Sequence, residues 1–174
     1  MNPDAQDRLR EEVTTTLQEH PQLDHGVVEN MHYLNNVARE GLRLMPPSVA
    51  APREAAEDVV IAGVKIPQGT TVTVVPAMIQ HNPVVWGEDA DEFKPERWDS
   101  LSSEAASPYS LVAFNGGPRM CIGKSFATLA FKAMLIEVIR NFVIEPIDKE
   151  LKFANPSLTL QPIGGLRVQV KGVL

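Results

Sequence analysis

The chain has 174 residues, 44% hydrophobic and 22% charged, with a net charge of −6 at pH 7, which is enough for one ordinary globular domain with a sizeable core. The acidic balance and the lack of a long basic run argue against general nucleic-acid binding, and no run of about 18 or more apolar residues is present to span a membrane. The single cysteine, Cys121, excludes an internal disulfide framework and suits a reducing compartment, and the stretch from Met1 to Arg10 is neither a signal peptide nor a transit peptide.

Residues Pro3 to Leu17 read as an amphipathic helix, with Leu9, Val13 and Leu17 at fourfold spacing. Asn2 or Asp4 is placed to cap it, and Pro3 is tolerated in its first turn. The segment His20 to Asp24 breaks the pattern. A longer helix is expected from Val27 to Leu44, with its apolar stripe at Met31, Leu34, Ala38, Leu42 and Met45. Pro46 and Pro47 end it.

The period then changes to that of strands. Val59 to Ile61 and Val64 to Ile66 form a hairpin around Ala62-Gly63, and Thr70 to Val75 is a β-branched strand that Pro76 stops. Ala77 to Gln80 has room for one helical turn. Residues Asn82 to Ala113 lack periodicity and are rich in Pro, Asp, Glu and Ser; an irregular stretch of that length inside a domain is usually functional or flexible. After a glycine-rich loop, a helix is expected from about Ile122 to Asn141. It is apolar on most sides, through Phe126, Leu129, Phe131, Met134, Leu135 and Val138, and such a helix is normally buried. Short strands at Val143-Ile144, Leu158 to Leu160 and Leu166 to Val170 complete the chain.

Three constellations carry chemistry. Glu40 and Arg43 share a face of the long helix at i, i+3; alone, they read as a solvated pair of little energetic weight. Gly41 between them costs roughly 1 kcal/mol relative to alanine. Phe93 to Trp98 contains Pro95, Glu96 and Arg97, an ordinary turn with an aromatic anchor unless Arg97 joins Glu40 and Arg43 in a buried network. The third is Phe114 to Gly123. There a cysteine stands at a helix start on a glycine-rich loop beside Arg119, a setting that suits a metal-binding or nucleophilic thiolate. Taken on its own, Cys121 reads first as a buried, inert cysteine near a helix start. As a ligand to haem iron, Cys121 would have Gly117 and Gly123 for close approach and positive φ, Phe114 to exclude water, and Arg119 to neutralise a propionate.

Taken together and in order, these motifs resemble those of the cytochrome P-450 superfamily of haem-thiolate monooxygenases, and the chain resembles the C-terminal part of a fungal-type member. Phe114, Gly117, Arg119, Cys121 and Gly123 match the family's Phe-x-x-Gly-x-Arg-x-Cys-x-Gly signature, Glu40 and Arg43 its Glu-x-x-Arg pair, and Arg97 the third member of its Glu–Arg–Arg triad. The resemblance implies a mainly α fold with small β-sheets (α+β), here the incomplete C-terminal portion of the P-450 fold, with residues 1–174 one partial domain. It implies haem b as cofactor and Cys121 as axial iron ligand, with Arg53 reaching a propionate. Val49 and Ala50, after Ser48, and Ser157 and Leu158 fall where the family lines its substrate pocket.

The implied partners are a small organic substrate, O2 and an NADPH-dependent flavoprotein reductase; Lys124, Lys132 and Arg140 read first as scattered charges on a solvated edge, and alternatively as a basic face for that reductase. The implied location is intracellular, with any endoplasmic-reticulum anchor upstream. Two departures stand out. Ala130 replaces a glutamate carried by many relatives, and the distal helix with its acid–alcohol pair has no counterpart. The expected function is therefore that of a monooxygenase in truncated form. The alternatives are a non-catalytic haem-binding remnant and part of an oxygen-independent isomerase or dehydratase.

Overall fold

In the computed structural model, which describes residues 2–148, 152–154 and 159–173, the first helix starts where Asn2 accepts the amide of Ala5 at 3.1 Å. That helix, α1, runs Pro3–Glu19 with Pro3 in its first turn, where a missing N–H costs nothing. Its stripe of Ala5, Leu9 and Val13 is buried, and each fully buried aliphatic side chain contributes about 1.5–3 kcal/mol.

The helix expected from Val27 to Leu44 is instead two: α2, His25–Asn30, capped by Asp24, and α3, His32–Leu44. Met31 between them is extended, with φ −69° and ψ 105°. The physical reason lies on α1. The carboxylate of Glu12 accepts the amides of Tyr33 and Leu34, both at 2.7 Å, and so caps α3 from outside its own segment. Side-chain caps satisfy N–H groups that a helix start leaves unpaired, and a continuous helix would have bonded these two amides internally. Met31, Leu34 and Val37 join Leu9, Val13, Ile136 and Ile139 in the main core cluster.

Every strand pairing among the described residues is two-stranded and antiparallel. Strand β1, Ala51–Glu54, begins just after Val49 and Ala50 and was not foreseen as a strand. The hairpin of β2, Val59–Ile61, and β3, Val64–Ile66, turns at Ala62 (φ 49°) and Gly63 (φ 83°), the left-handed pair that a tight hairpin needs. Strand β4, Thr71–Val74, pairs with β1 so that Arg53 lies opposite Val72. Helix α4, Pro76–Gln80, follows, then α5, Pro83–Trp86.

The segment that lacked periodicity is organised by tryptophan. Trp86, Ala90 and Ala105 form a second core cluster flanked by Trp98 and Leu101, and the two indoles meet at 5.5 Å, tilted 57°. A 3-10 turn covers Pro95–Asp99. Helix α6, Lys124–Asn141, packs against α1 and α3 and leads into β5, Phe142–Pro146, which pairs with the terminal strand Val168–Gly172.

The expectation that α6 is buried on most sides does not hold. Ile136, Ile139 and Lys132 face inward, whereas Phe126 is 80% exposed and Met134 and, just before the helix, Ile122 also face outward. One side of α6 rests on α1 and α3; the described residues of this chain place nothing on the other. No described helix is long and apolar enough to cross a membrane.

Candidate functional site

The site is built on the C-terminal turns of α3. Glu40 and Arg43 are both fully buried, at 0% exposure, not a solvated pair. Arg43 donates from Nε and Nη2 to the two carboxylate oxygens of Glu40, each at 2.9 Å. Its other donors go to the carbonyls of Gln80 (2.7 Å), Ala90 (2.6 Å) and Glu92 (3.1 Å). All five N–H groups of the guanidinium are thereby used, and a planar fork is what allows it. Its Cζ also lies 5.1 Å from the Trp86 ring centroid.

Arg97 completes the triad. Its Nε donates to Glu40 Oε1 at 3.1 Å, and Nη1 and Nη2 hold Trp86 O, Asp89 Oδ1 and Asp89 O at 3.0, 2.9 and 2.8 Å. Burial pushes the Glu40 carboxyl up. The hydrogen bonds from Arg43, the Lys94 amide and Arg97 outweigh it, so the net direction is downward. Asp89, bonded by Lys94 and Arg97, is drawn down to about 2. This network fixes the segment 86–98 against α3.

The cysteine loop follows from Val112. A bend at Asn115 (φ 59°) and Gly117 (φ 63°) reverses the chain. The Asn115 amide returns to Val112 O at 2.9 Å, and the Cys121 amide to Phe114 O at 2.9 Å. Gly117, Pro118 and Arg119 make a 3-10 turn. Cys121 is free and exposed, not a buried inert thiol. The Lys124 amide bonds the carbonyl of Cys121 at 3.2 Å, which closes the loop onto the start of α6.

The two signature glycines differ. Gly117 has the left-handed φ expected of it, but Gly123 does not: its φ is −81°. A Cβ on Gly123 would lie 3.7 Å from Cys121 Sγ, an ordinary van der Waals contact, so neither positive φ nor close packing explains glycine there.

Arg53 and Arg119, far apart in sequence, line one recess of ≈ 270 Å³ together with Val74, Val112 and Gly117. Both guanidiniums are exposed on it, and two cations flanking an apolar wall suit a ligand carrying carboxylates. Phe114 lines a separate recess of ≈ 250 Å³ between α3 and α6, with Leu42, Arg39, Lys124 and Lys132.

Lys132 is a correction to the expected solvated edge or basic face: it is buried, with its Nζ on Glu29 Oε1 at 2.8 Å, and so ties α6 to α2. Arg140 is engaged by Glu137 at 3.1 Å. Val49 and Ala50 are half-buried beside Ser48, which bridges to Thr159; Ser157 and Leu158 lie outside the described residues.

Two contributors escaped the sequence reading. Trp98 donates its indole N–H to Glu40 Oε2 at 3.0 Å; it had been assigned only the part of an aromatic anchor. Gln80, fully buried, bonds the carbonyls of Leu42 and Arg43 and the amide of Val112. A polar residue closing a short apolar turn was the one signal it gave.

A family model described as Cytochrome P450 matches residues 1–170. The chain is 37% identical over 153 residues to Cytochrome P450 monooxygenase sphH of Aspergillus fumigatus, covering 83% of this chain and 28% of that one. It is 35% identical over 161 residues to Cytochrome P450 3A29 of Sus scrofa, covering 91% and 32%. With the Lithocholate 6-beta-hydroxylase of Mesocricetus auratus it shares 36% over 164 residues, covering 92% and 32%. Its fold superposes on a retinoic acid-bound cyanobacterial protein, CYP120A1, with a TM-score of 0.86 at 30% identity, over 98% of this chain and 39% of that one. The chain thus spans about a third of the length of these relatives.

Proposed function

The chain belongs to the cytochrome P450 family, and from that premise we propose that it forms the thiolate-bearing side of the haem site of a monooxygenase, with Cys121 as the axial ligand to the iron. The observation that carries this reading is one of placement. The chain's single cysteine is exposed at the start of α6, and Arg53 and Arg119 share the recess beside its loop. The donor set fits haem b: one soft anionic ligand, two guanidiniums for two propionates, and an open apolar surface at Ile122 and Phe126 for a flat macrocycle. Bound through a cysteine thiolate, haem supplies oxygen activation, the thiolate's electron density favouring O–O cleavage.

This chain's residues bind and orient. Cys121 ligates, Arg53 and Arg119 pair with the carboxylates, and Gly117 supplies the left-handed turn of the loop. The Glu40–Arg43–Arg97 network holds the surrounding segments in register. For the whole protein the reading is insertion of one oxygen atom from O2 into a small organic substrate, with electrons from NADPH through a flavoprotein reductase. A hydroxylase of lithocholate and a protein holding retinoic acid among its relatives support a largely apolar substrate. The same reading has the protein working inside the cell, in keeping with its free cysteine.

The test is spectroscopic. The chain is loaded with haemin, reduced and exposed to CO. A red-shifted thiolate-type Soret band that disappears in Cys121→Ser supports the ligand; a wild-type chain that binds haemin without that band, or a band that survives the substitution, rules it out.

A further inference from the structure

The Glu40–Arg43 pair and the cysteine loop are joined through one side chain, the carboxamide of Gln80. It closes α4 and has 0% exposure. Its Nε2 donates to the carbonyls of Leu42 (3.0 Å) and Arg43 (2.8 Å) in the last turn of α3, and its Oε1 accepts the amide of Val112 at 2.9 Å. Its own backbone carbonyl accepts Arg43 Nη1 at 2.7 Å. Two donors face two acceptors and one acceptor faces a donor, so the orientation of the amide is fixed by its partners. Leu42 and Arg43 stand where a helix leaves its carbonyls unpaired, and at full burial water does not replace the missing partner.

We propose that Gln80 is a positioning residue for the cysteine loop, holding its first residue, Val112, against the end of α3 so that the loop closes with Cys121 in a fixed place. From Val112 the path to the sulfur is short. Val112 O accepts the Asn115 amide, and Phe114 O, two residues on, accepts the Cys121 amide. An anchor at Val112 therefore sets the origin of the turn that ends at the thiolate. A methionine here would fill the space and make none of the bonds, leaving the Leu42 and Arg43 carbonyls and the Val112 amide without this partner. That the positioned atom is an iron ligand rests on the reading of Cys121 given above; the anchoring of the loop does not.

The test reads both. Amide hydrogen exchange is measured on the wild-type chain, on Gln80→Met, and on Val13→Ala, a core truncation remote from the loop. In Gln80→Met the protection of the Val112, Asn115 and Cys121 amides is expected to fall by about tenfold more than that of Leu34 and Ile136 in the core, the signature of a local opening. In Val13→Ala, loop and core fall together or the core falls further. Loop and core moving together in Gln80→Met overturns the proposal. On haemin-loaded protein, Gln80→Met is also expected to show a smaller share of the thiolate-type Soret band at equal haem content. A band insensitive to Cys121→Ser while the exchange pattern holds removes the ligand reading and leaves the anchor standing.

Discussion

Trp98 donates its indole N–H to Glu40 Oε2 at 3.0 Å, the same oxygen that accepts Arg43 Nε at 2.9 Å. With Arg43 twice, Arg97 and the Lys94 amide, this makes five hydrogen bonds converging on one buried carboxylate. A buried charge is tolerated when fully paired, and removing one partner strands the rest. Glu40→Gln is therefore expected to cost about 3–5 kcal/mol, because Arg43 and Arg97 stay charged while their shared partner loses its charge and one of its two acceptor oxygens. Trp98→Phe keeps the ring against Trp86 and loses one donor, at about 1–3 kcal/mol. Chemical denaturation of both variants checks the order; a Glu40→Gln variant as stable as Trp98→Phe contradicts it.

Asp89 gives the network its acid limit. Its carboxyl is drawn from 3.8 down to about 2 in the folded state, chiefly by the hydrogen bond from Lys94 and then that from Arg97. The unfolded chain therefore takes up a proton at a higher pH than the folded one. The stability Asp89 contributes is complete above about pH 4 and is lost as pH falls towards 2. Glu40, also displaced downward, adds in the same direction. Asp89→Asn is expected to flatten the decline of stability over that window while lowering stability at pH 7. Denaturant midpoints taken between pH 2 and 7 decide it.

The sequence makes Gly41 an oddity, a glycine inside α3 between two essential partners. The structure shows what it faces: a Cβ built there would lie 3.8 Å from Phe131 Cζ on α6, ordinary van der Waals contact. With space available and helical backbone around it, Gly41→Ala is expected to stabilise the chain by about 0.5–1 kcal/mol through lost backbone entropy in the unfolded state. A rise in thermal midpoint with an unchanged thiolate-type band is the expected result.

What the sequence revealed of this fold, and what it hid, follows from where each signal resides. The start of α1, the α3 stripe and the loop around Cys121 are local patterns, and local patterns survive reading in one dimension. The α2–α3 break was hidden because Glu12, which causes it, sits some twenty residues upstream on another helix. Gln80 was hidden for the same reason: its three partners lie on two other segments. Arg53 follows from the resemblance and Arg119 from its place two residues before the cysteine, but only the β1–β4 pairing and the turn at Gly117 bring them to one recess. The apolar circumference of α6 was read correctly as apolar and wrongly as buried, since periodicity records what a helix presents and not what covers it.

If the recess shared by Arg53 and Arg119 holds the propionates, the two charges act on affinity and not on ligation. Arg53→Gln and Arg119→Gln are each expected to weaken haemin binding by about tenfold, a scale typical of one charge-assisted pair, with the thiolate-type band unchanged in position. Cys121→Ser should do the reverse, removing the band while leaving much of the affinity. Titration of haemin followed spectroscopically separates the two effects.

Helix α6 offers the sharpest contrast between residues of like chemistry. Ile136 is 1% exposed in the main core cluster, and Phe126, in the first turn of the helix, is 80% exposed. Deleting the buried side chain leaves a cavity among Leu9, Val13 and Leu34, so Ile136→Ala is expected to cost about 2–5 kcal/mol. Phe126→Gln removes apolar surface that nothing in the described chain covers, and its expected effect on stability lies within about 0.5 kcal/mol. Its effect belongs elsewhere. An exposed apolar patch drives association, so Phe126→Gln should shift the chain towards monomer in sedimentation at a concentration where the wild type self-associates. If that side is also the wall against which haem lies, haemin binding falls in the same variant although Cys121 and both arginines are intact. A large loss of stability in Phe126→Gln would show that this face is packed within the chain, and would place the open wall of the site somewhere other than α6.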